Sequence, residues 1–173
     1  MLARNFIEPV IPLFDVVTDI IGTGDIDHEL VRGGIAHLAL NENWLPVYIL
    51  SQITNREVSI LIDADDKVWV DWGSQSEVKL HPPAGSSIPF KMWIHTHPRG
   101  DAYWSDTDKT SIASVGTILQ RALVLGNSGI LFTSYNDDEL VPKCSNTGPL
   151  SQWSEEDVRP WFDVLVSSKG VNN

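Results

Sequence analysis

Apolar positions change their period several times along the chain, and each change marks an element. From Asp27 to Leu40, the residues Leu30, Val31, Ile35 and Leu38 recur at helical spacing. Gly33 and Gly34 interrupt that face at about 1 kcal/mol each relative to alanine, and the pair gives another backbone room to approach. Short extended segments follow at Pro46 to Gln52, Val58 to Ile62 and Val68 to Trp72, the last two forming a hairpin across the acidic turn Asp63-Ala64-Asp65-Asp66. Residues 73–89, rich in Ser, Pro and Gly, read as a surface connection to a strand from Phe90 to Thr96. Pairing should stop at Pro98, which has no N–H to donate. Asp106 to about Leu123 carries Ile112, Val115, Ile118 and Leu119 on one face, so a second helix is expected, ending before Gly126-Asn127. Ile130 to Tyr135 reads as a buried strand that ends in the turn Asn136-Asp137-Asp138. Val158, Trp161, Phe162, Leu165 and Val166 then follow amphipathic spacing, predicting a helix that begins near Asp157 with Pro160 in its first turn.

The order helix, strands, helix, strand, helix indicates an α/β or α+β fold, and 173 residues suffice for a single domain. Residues 1–25 are expected as an N-terminal arm closed by Gly22-Thr23-Gly24, residues 26–140 as the core, and residues 141–173 as an extension ending in the amphipathic helix. Twelve Lys and Arg against 23 Asp and Glu give a net charge of -11, which repels phosphate backbones and anionic lipid; neither nucleic acid nor a membrane is an expected partner. Cys144 is the single cysteine, which excludes an intramolecular disulfide and a four-thiolate zinc site and suits a reducing cytoplasm. The apolar run Phe6 to Ile21 is broken by Glu8, Pro9, Pro12, Asp15 and Asp19, so neither a signal peptide nor a membrane span is expected there.

Candidate chemistry concentrates between His95 and Asp108. On a strand, side chains at i and i+2 project from one face, so His95 and His97 can aim at one point while Thr96 faces away. A loop then leads to a helix start where Ser105 and Asp108 lie three residues apart on a shared face, placing a carboxylate as a third ligand beside a hydroxyl. Three protein ligands with a fourth position left to water is the arrangement of catalytic zinc, which acidifies that water and polarises a carbonyl. Such chemistry also needs a carboxylate base. A simpler explanation covers part of the pattern, because Ser-x-x-Asp ahead of an amphipathic helix is a common N-terminal cap. Trp93 shares the face of His95 and either walls the pocket or belongs to the core; His28 and His37 sit on the first helix, and His81 in a loop, with no ligand role expected.

The string His95-Thr96-His97-Pro98, with seven residues between the second His and Ser105, then Ser105-x-x-Asp108, resembles the signature of the JAMM (MPN+) zinc metalloproteases. The resemblance extends in element order over roughly residues 26–140. It implies a cytidine-deaminase-like mixed sheet flanked by helices, with His95, His97 and Asp108 binding zinc and Ser105 hydrogen-bonding the oxyanion. A glutamate near the first strand after the first helix would take a proton from the attacking water and return it to the leaving amine. Glu42 is preferred for that role, because Asp27 to Leu40 makes the fuller first helix. Glu57 is the rival, and it would win if Pro46 to Asn55 were helical. The implied activity is hydrolysis of an amide bond at the C-terminus of a ubiquitin-like protein. The alternatives are a scaffold without catalysis and a metallohydrolase of small peptides or amides.

Overall fold

The computed structural model describes residues 6–73, 80, 83–135 and 148–169; the turn Asn136-Asp137-Asp138, His81 and Cys144 lie outside them. Among the described residues, five α-helices, α1 (Phe14–Gly22), α2 (Glu29–Leu40), α3 (Trp44–Thr54), α4 (Asp106–Val115) and α5 (Trp161–Lys169), accompany five strands. These are β1 (Val58–Ile62), β2 (Val68–Trp72), β3 (Met92–Thr96), β4 (Arg121–Gly126) and β5 (Gly129–Ser134), in the sheet order β2-β1-β3-β4-β5. The β3–β4 pair is parallel, with α4 as its crossover, and every other pair is antiparallel. The mixed α/β architecture expected from the pattern is therefore present. No helix among the described residues is long and apolar enough to cross a membrane.

Two layers cover the sheet. Ile60, Ile62, Val68, Val70, Met92, Ile94, Leu123 and Leu125 face Val17, Ile21, Val31, Ile35, Val47 and Tyr48 of α1 to α3. On the opposite face Leu61, Trp69, Trp93 and Ala122 pack with Phe90, Ile112, Leu119 and Trp153. Residues 6–22, within the expected arm, join the first layer: Ile7 N–H donates to the Val68 carbonyl at 2.7 Å, and Val10 N–H to the Gly33 carbonyl at 2.9 Å. A Cβ on Gly33 would lie 2.9 Å from the Glu8 carbonyl oxygen, so the close approach read from the glycine pair takes place there.

Several elements differ from the sequence reading, α1 within the expected arm among them. Pro46 to Gln52, expected as extended, belongs to α3. Pro46 sits in the first turn, where its missing N–H has no intrahelical partner, and Trp44, Val47, Tyr48 and Ser51 form the buried stripe. The run is apolar enough all round to imitate a buried strand, and Asn55 closes the helix in the left-handed conformation at φ 51°. A further correction is the helix expected to reach Leu123. α4 stops at Val115, with Gly116 at φ 50°, and Arg121–Gly126 becomes β4, buried almost throughout as befits a strand covered on both faces. At the C-terminus Trp161 and Val164 face the core, whereas Phe162, Leu165 and Val166 of the expected stripe are exposed. α5 begins at Trp161, with Pro160 just before it.

Candidate metal centre

β3 places the histidines. Ser59 of β1 lies opposite His95, Val124 of β4 flanks it on the other side, and His95 is only 1% exposed. Strand alternation sends Thr96 to the other face, where its hydroxyl accepts the Val58 N–H at 2.9 Å. His97 extends the ladder by one bond, its N–H donating to the Leu125 carbonyl at 2.8 Å before Pro98 ends the pairing.

The loop between His97 and Ser105 then folds back across β4. Asn127 N–H donates to the Gly100 carbonyl at 2.8 Å, and Ala102 N–H to the Ser128 hydroxyl at 3.0 Å. Gly126 permits this crossing, because a Cβ there would run into the backbone of Asp101 and Ala102. The loop delivers Ser105 as the N-cap of α4. Its Oγ accepts the Asp108 N–H at 3.2 Å while the Asp108 carboxylate accepts the Ser105 N–H at 2.8 Å, a complete capping box.

Asp108 Oδ2 is the anchored oxygen, since it also accepts the Ser105 hydroxyl at 2.7 Å. Oδ1 lies 3.1 Å from His95 Nε2, and His97 Nε2 lies 3.7 Å from Oδ2. One ligand atom from each of the three residues falls within 4.8 Å of the others, which makes a buried group able to hold a metal ion. His97 Nδ1 is 3.1 Å from the Asp101 carbonyl, which only accepts, so Nδ1 carries a proton; in the neutral ring the lone pair then sits on Nε2, the nitrogen nearest Asp108. Among the described residues His95 Nδ1 has no hydrogen-bond partner and Nε2 has only the Asp108 carboxylate beside it, while the ring stacks on Trp93 at 4.7 Å. A buried imidazole lone pair left unsatisfied costs about 1–3 kcal/mol, and a cation at His95 Nε2 relieves that cost for the nitrogen that faces Asp108.

The electrostatics agree. Burial holds the His95 imidazole below the usual histidine pKa, against the pull of Asp108. Burial also opposes charge on His97, but hydrogen bonds to Asp108 and the Asp101 carbonyl, with the charges of Asp108 and Glu57, raise its pKa. Burial disfavours ionised Asp108 too, yet the two imidazoles and the Ser105 hydroxyl hold its carboxyl well below the ordinary range.

Of the residues singled out in the sequence, His95, His97, Ser105 and Asp108 come together. Glu42 does not. It stands in the α2–α3 turn with its side chain 59% exposed, 3.7 Å from Arg121 at the start of β4, whereas the histidines lie toward the end of that strand. Glu57, the rival, is 6% exposed. Continuing the β1–β3 register beyond the Ser59–His95 pair brings Glu57 opposite His97, on the same face. The condition that favours Glu57 is met, because α3 fills the segment before β1. His28, expected to carry no ligand, caps α2 by accepting the Leu30 N–H at 3.2 Å.

Asp101 and Tyr103 were not anticipated. Asp101 acts through its main chain, which leaves no mark in residue type, and Tyr103 reaches the His97 ring at 4.8 Å from an exposed loop. Against known proteins, the chain matches no family model, and no curated protein aligns with it significantly.

Proposed function

We propose that this chain is a zinc-dependent isopeptidase or peptidase of the JAMM (MPN+) kind, hydrolysing an amide bond at the C-terminus of a ubiquitin-like protein in the cytoplasm. One observation carries the reading: ligand atoms of His95, His97 and Asp108 converge within 4.8 Å on the motif that resembles that family. The buried His95 Nε2 beside Asp108 and the Nε2 lone pair of neutral His97 fit a borderline-soft divalent ion bound by nitrogen and carboxylate oxygen. When bound by three protein ligands, zinc supplies Lewis acidity to a water and to the scissile carbonyl.

The chain's own residues divide the remaining work. Glu57 takes the base role first preferred for Glu42: a buried carboxylate opposite His97 accepts the proton of the attacking water and returns it to the leaving nitrogen. The Asp101 carbonyl fixes the His97 tautomer, and Ser105 orients Asp108. The Ser105 hydroxyl, whose one proton goes to Asp108 Oδ2 in the free site, turns that proton to the oxyanion when substrate binds. Trp93 and Trp104, whose rings lie 4.7 and 6.0 Å from His95, exclude solvent from the inner side.

The test compares metal content and hydrolysis of ubiquitin-like fusions across three variants. Glu57→Gln is expected to retain zinc and lose about 10²–10⁴ in turnover. Glu42→Gln should retain both, and His97→Ala should lose the metal. Full activity in Glu57→Gln overturns the base assignment. Protein prepared without chelator that neither contains nor takes up zinc overturns the hydrolase reading. Cleavage confined to short peptides removes the ubiquitin-like substrate alone.

A further inference from the structure

The Asp101 carbonyl that holds the His97 ring lies on a loop, and a loop carbonyl orients a ligand only as well as the loop itself is held. This loop is tied to the turn between β4 and β5. Asn127 N–H donates to the Gly100 carbonyl at 2.8 Å, Ala102 N–H donates to the Ser128 hydroxyl at 3.0 Å, and Gly126 lies flat against the backbone of Asp101 and Ala102. The placement of His97 therefore depends on the placement of the turn.

Two helices far in sequence from the ligands grip that turn. On α3, Tyr48 is 4% exposed and its hydroxyl donates to Asn127 Oδ1 at 2.6 Å. Gln52, one helical turn further along, donates from Nε2 to the Tyr48 hydroxyl at 2.9 Å and to the same Asn127 oxygen at 3.3 Å. Both lone pairs of that oxygen are thereby engaged, which fixes the Asn127 side chain. From α5, Trp161 Nε1 donates to the Gly126 carbonyl at 2.9 Å, and its ring stacks on Tyr48 with centroids 5.4 Å apart and planes 26° from parallel. Just before α5, Arg159 and Ile130 exchange two main-chain hydrogen bonds of 2.8 and 2.9 Å, so the indole reaches Gly126 from a fixed base. Two phenylalanines would fill the same space; the hydroxyl and the indole N–H add direction, and both end on one turn.

We infer that Tyr48 and Trp161 are positioning residues for the metal centre: through Asn127 and Gly126 they hold the loop whose Asp101 carbonyl sets the tautomer and orientation of His97. The docking of α5 thereby sets how tightly the site grips an ion. The inference rests on the metal-centre reading for the ligand role of His97; the relay to the ring does not itself need the ion. Losing a direct outer partner of a ligand costs about 10- to 100-fold in metal affinity, and a contact one step further out costs part of that, about 3- to 10-fold.

The experiment reads zinc affinity by competition against a chelating dye, and the His97 tautomer by long-range proton–nitrogen NMR of the isotope-labelled, metal-free protein at a pH where the ring is neutral. Tyr48→Phe and Trp161→Phe each keep an aromatic ring and remove only the polar tip. Each is expected to weaken zinc binding about 3- to 10-fold and to raise the share of His97 protonated on Nε2. Because the hydroxyl acts through Asn127, Tyr48→Phe combined with Asn127→Leu should cost no more affinity than the larger single effect. Phe162→Ala, on the same helix as Trp161 but 75% exposed, should change neither quantity. If Trp161→Phe fails to fold, Tyr48→Phe decides alone. An unchanged tautomer in folded Tyr48→Phe overturns the inference whatever the affinity does, and full additivity in the double variant overturns the route through Asn127. A tautomer shift in protein that takes up no zinc leaves the relay standing and removes the metal centre; zinc binding that Tyr48→Phe and Trp161→Phe leave untouched does the opposite.

Discussion

Ser105→Ala separates the two tasks that one hydroxyl performs. In the metal-free protein Oγ accepts the Asp108 N–H at 3.2 Å, and losing such a cap costs about 1 kcal/mol. The same hydroxyl donates to Asp108 Oδ2 at 2.7 Å; a bond to a charged group is worth about 1.5–3 kcal/mol, reduced here because Ser105 is only half-buried. About 2 kcal/mol in all, at about 2–4 °C per kcal/mol for a chain of this length, lowers the metal-free melting temperature by about 4–8 °C. Zinc binding loses a partner that orients its carboxylate ligand, so affinity should fall about 10- to 100-fold. Calorimetry in chelator reads the first quantity, and competition against a chelating dye reads the second. Ser105→Thr, which keeps the hydroxyl, should recover most of both. An unchanged metal-free melting temperature refutes the capping argument, and an unchanged affinity refutes the orienting one.

Adding zinc at about 100 times its dissociation constant should stabilise the protein by about 2.7 kcal/mol, seen as a rise in melting temperature that excess chelator reverses. That increment should grow from about pH 5.5 to about pH 7.5, because protons compete for the imidazoles. The sign follows from His97: its raised pKa adds stability to the metal-free form below the unfolded value of 6.5, and this is lost as pH climbs through the folded value, where the metal takes over. An increment that shrinks over that range, read by melting with and without zinc, contradicts the ligand assignment. Gly126→Ala should destabilise by several kcal/mol and weaken zinc binding as well, since the added Cβ pushes away the Asp101 backbone that fixes His97; a normal dye-competition affinity would contradict this. Glu42→Gln should change chemical-denaturation stability by a few tenths of a kcal/mol at most, its contact with Arg121 being largely solvated.

What could be read along the chain was local. The His95 and His97 pair shares a face because a strand has period two, and Ser105 and Asp108 meet because a first helical turn brings i and i+3 together; both hold in the fold. Continuous apolar runs were another matter. Pro46 to Gln52 and Leu119 to Leu125 lack a clear period, and helix and strand bury such runs equally well. Each was settled by its neighbours: α3 by packing on the sheet with α1 and α2, β4 by hydrogen bonding between β3 and β5.

The two candidate carboxylates show the same division. Glu42 and Glu57 are nearly equivalent as residues at element boundaries. Only the β1–β3 register, a contact between positions far apart in sequence, sends one to the face of the ligands and leaves the other beside Arg121. Residue order alone therefore decided which side chains could bind a metal, through periodicities acting over two to four residues. The tertiary structure decided which carboxylate stands beside them, because pairing across strands and loop crossings depend on the free energy of the whole core.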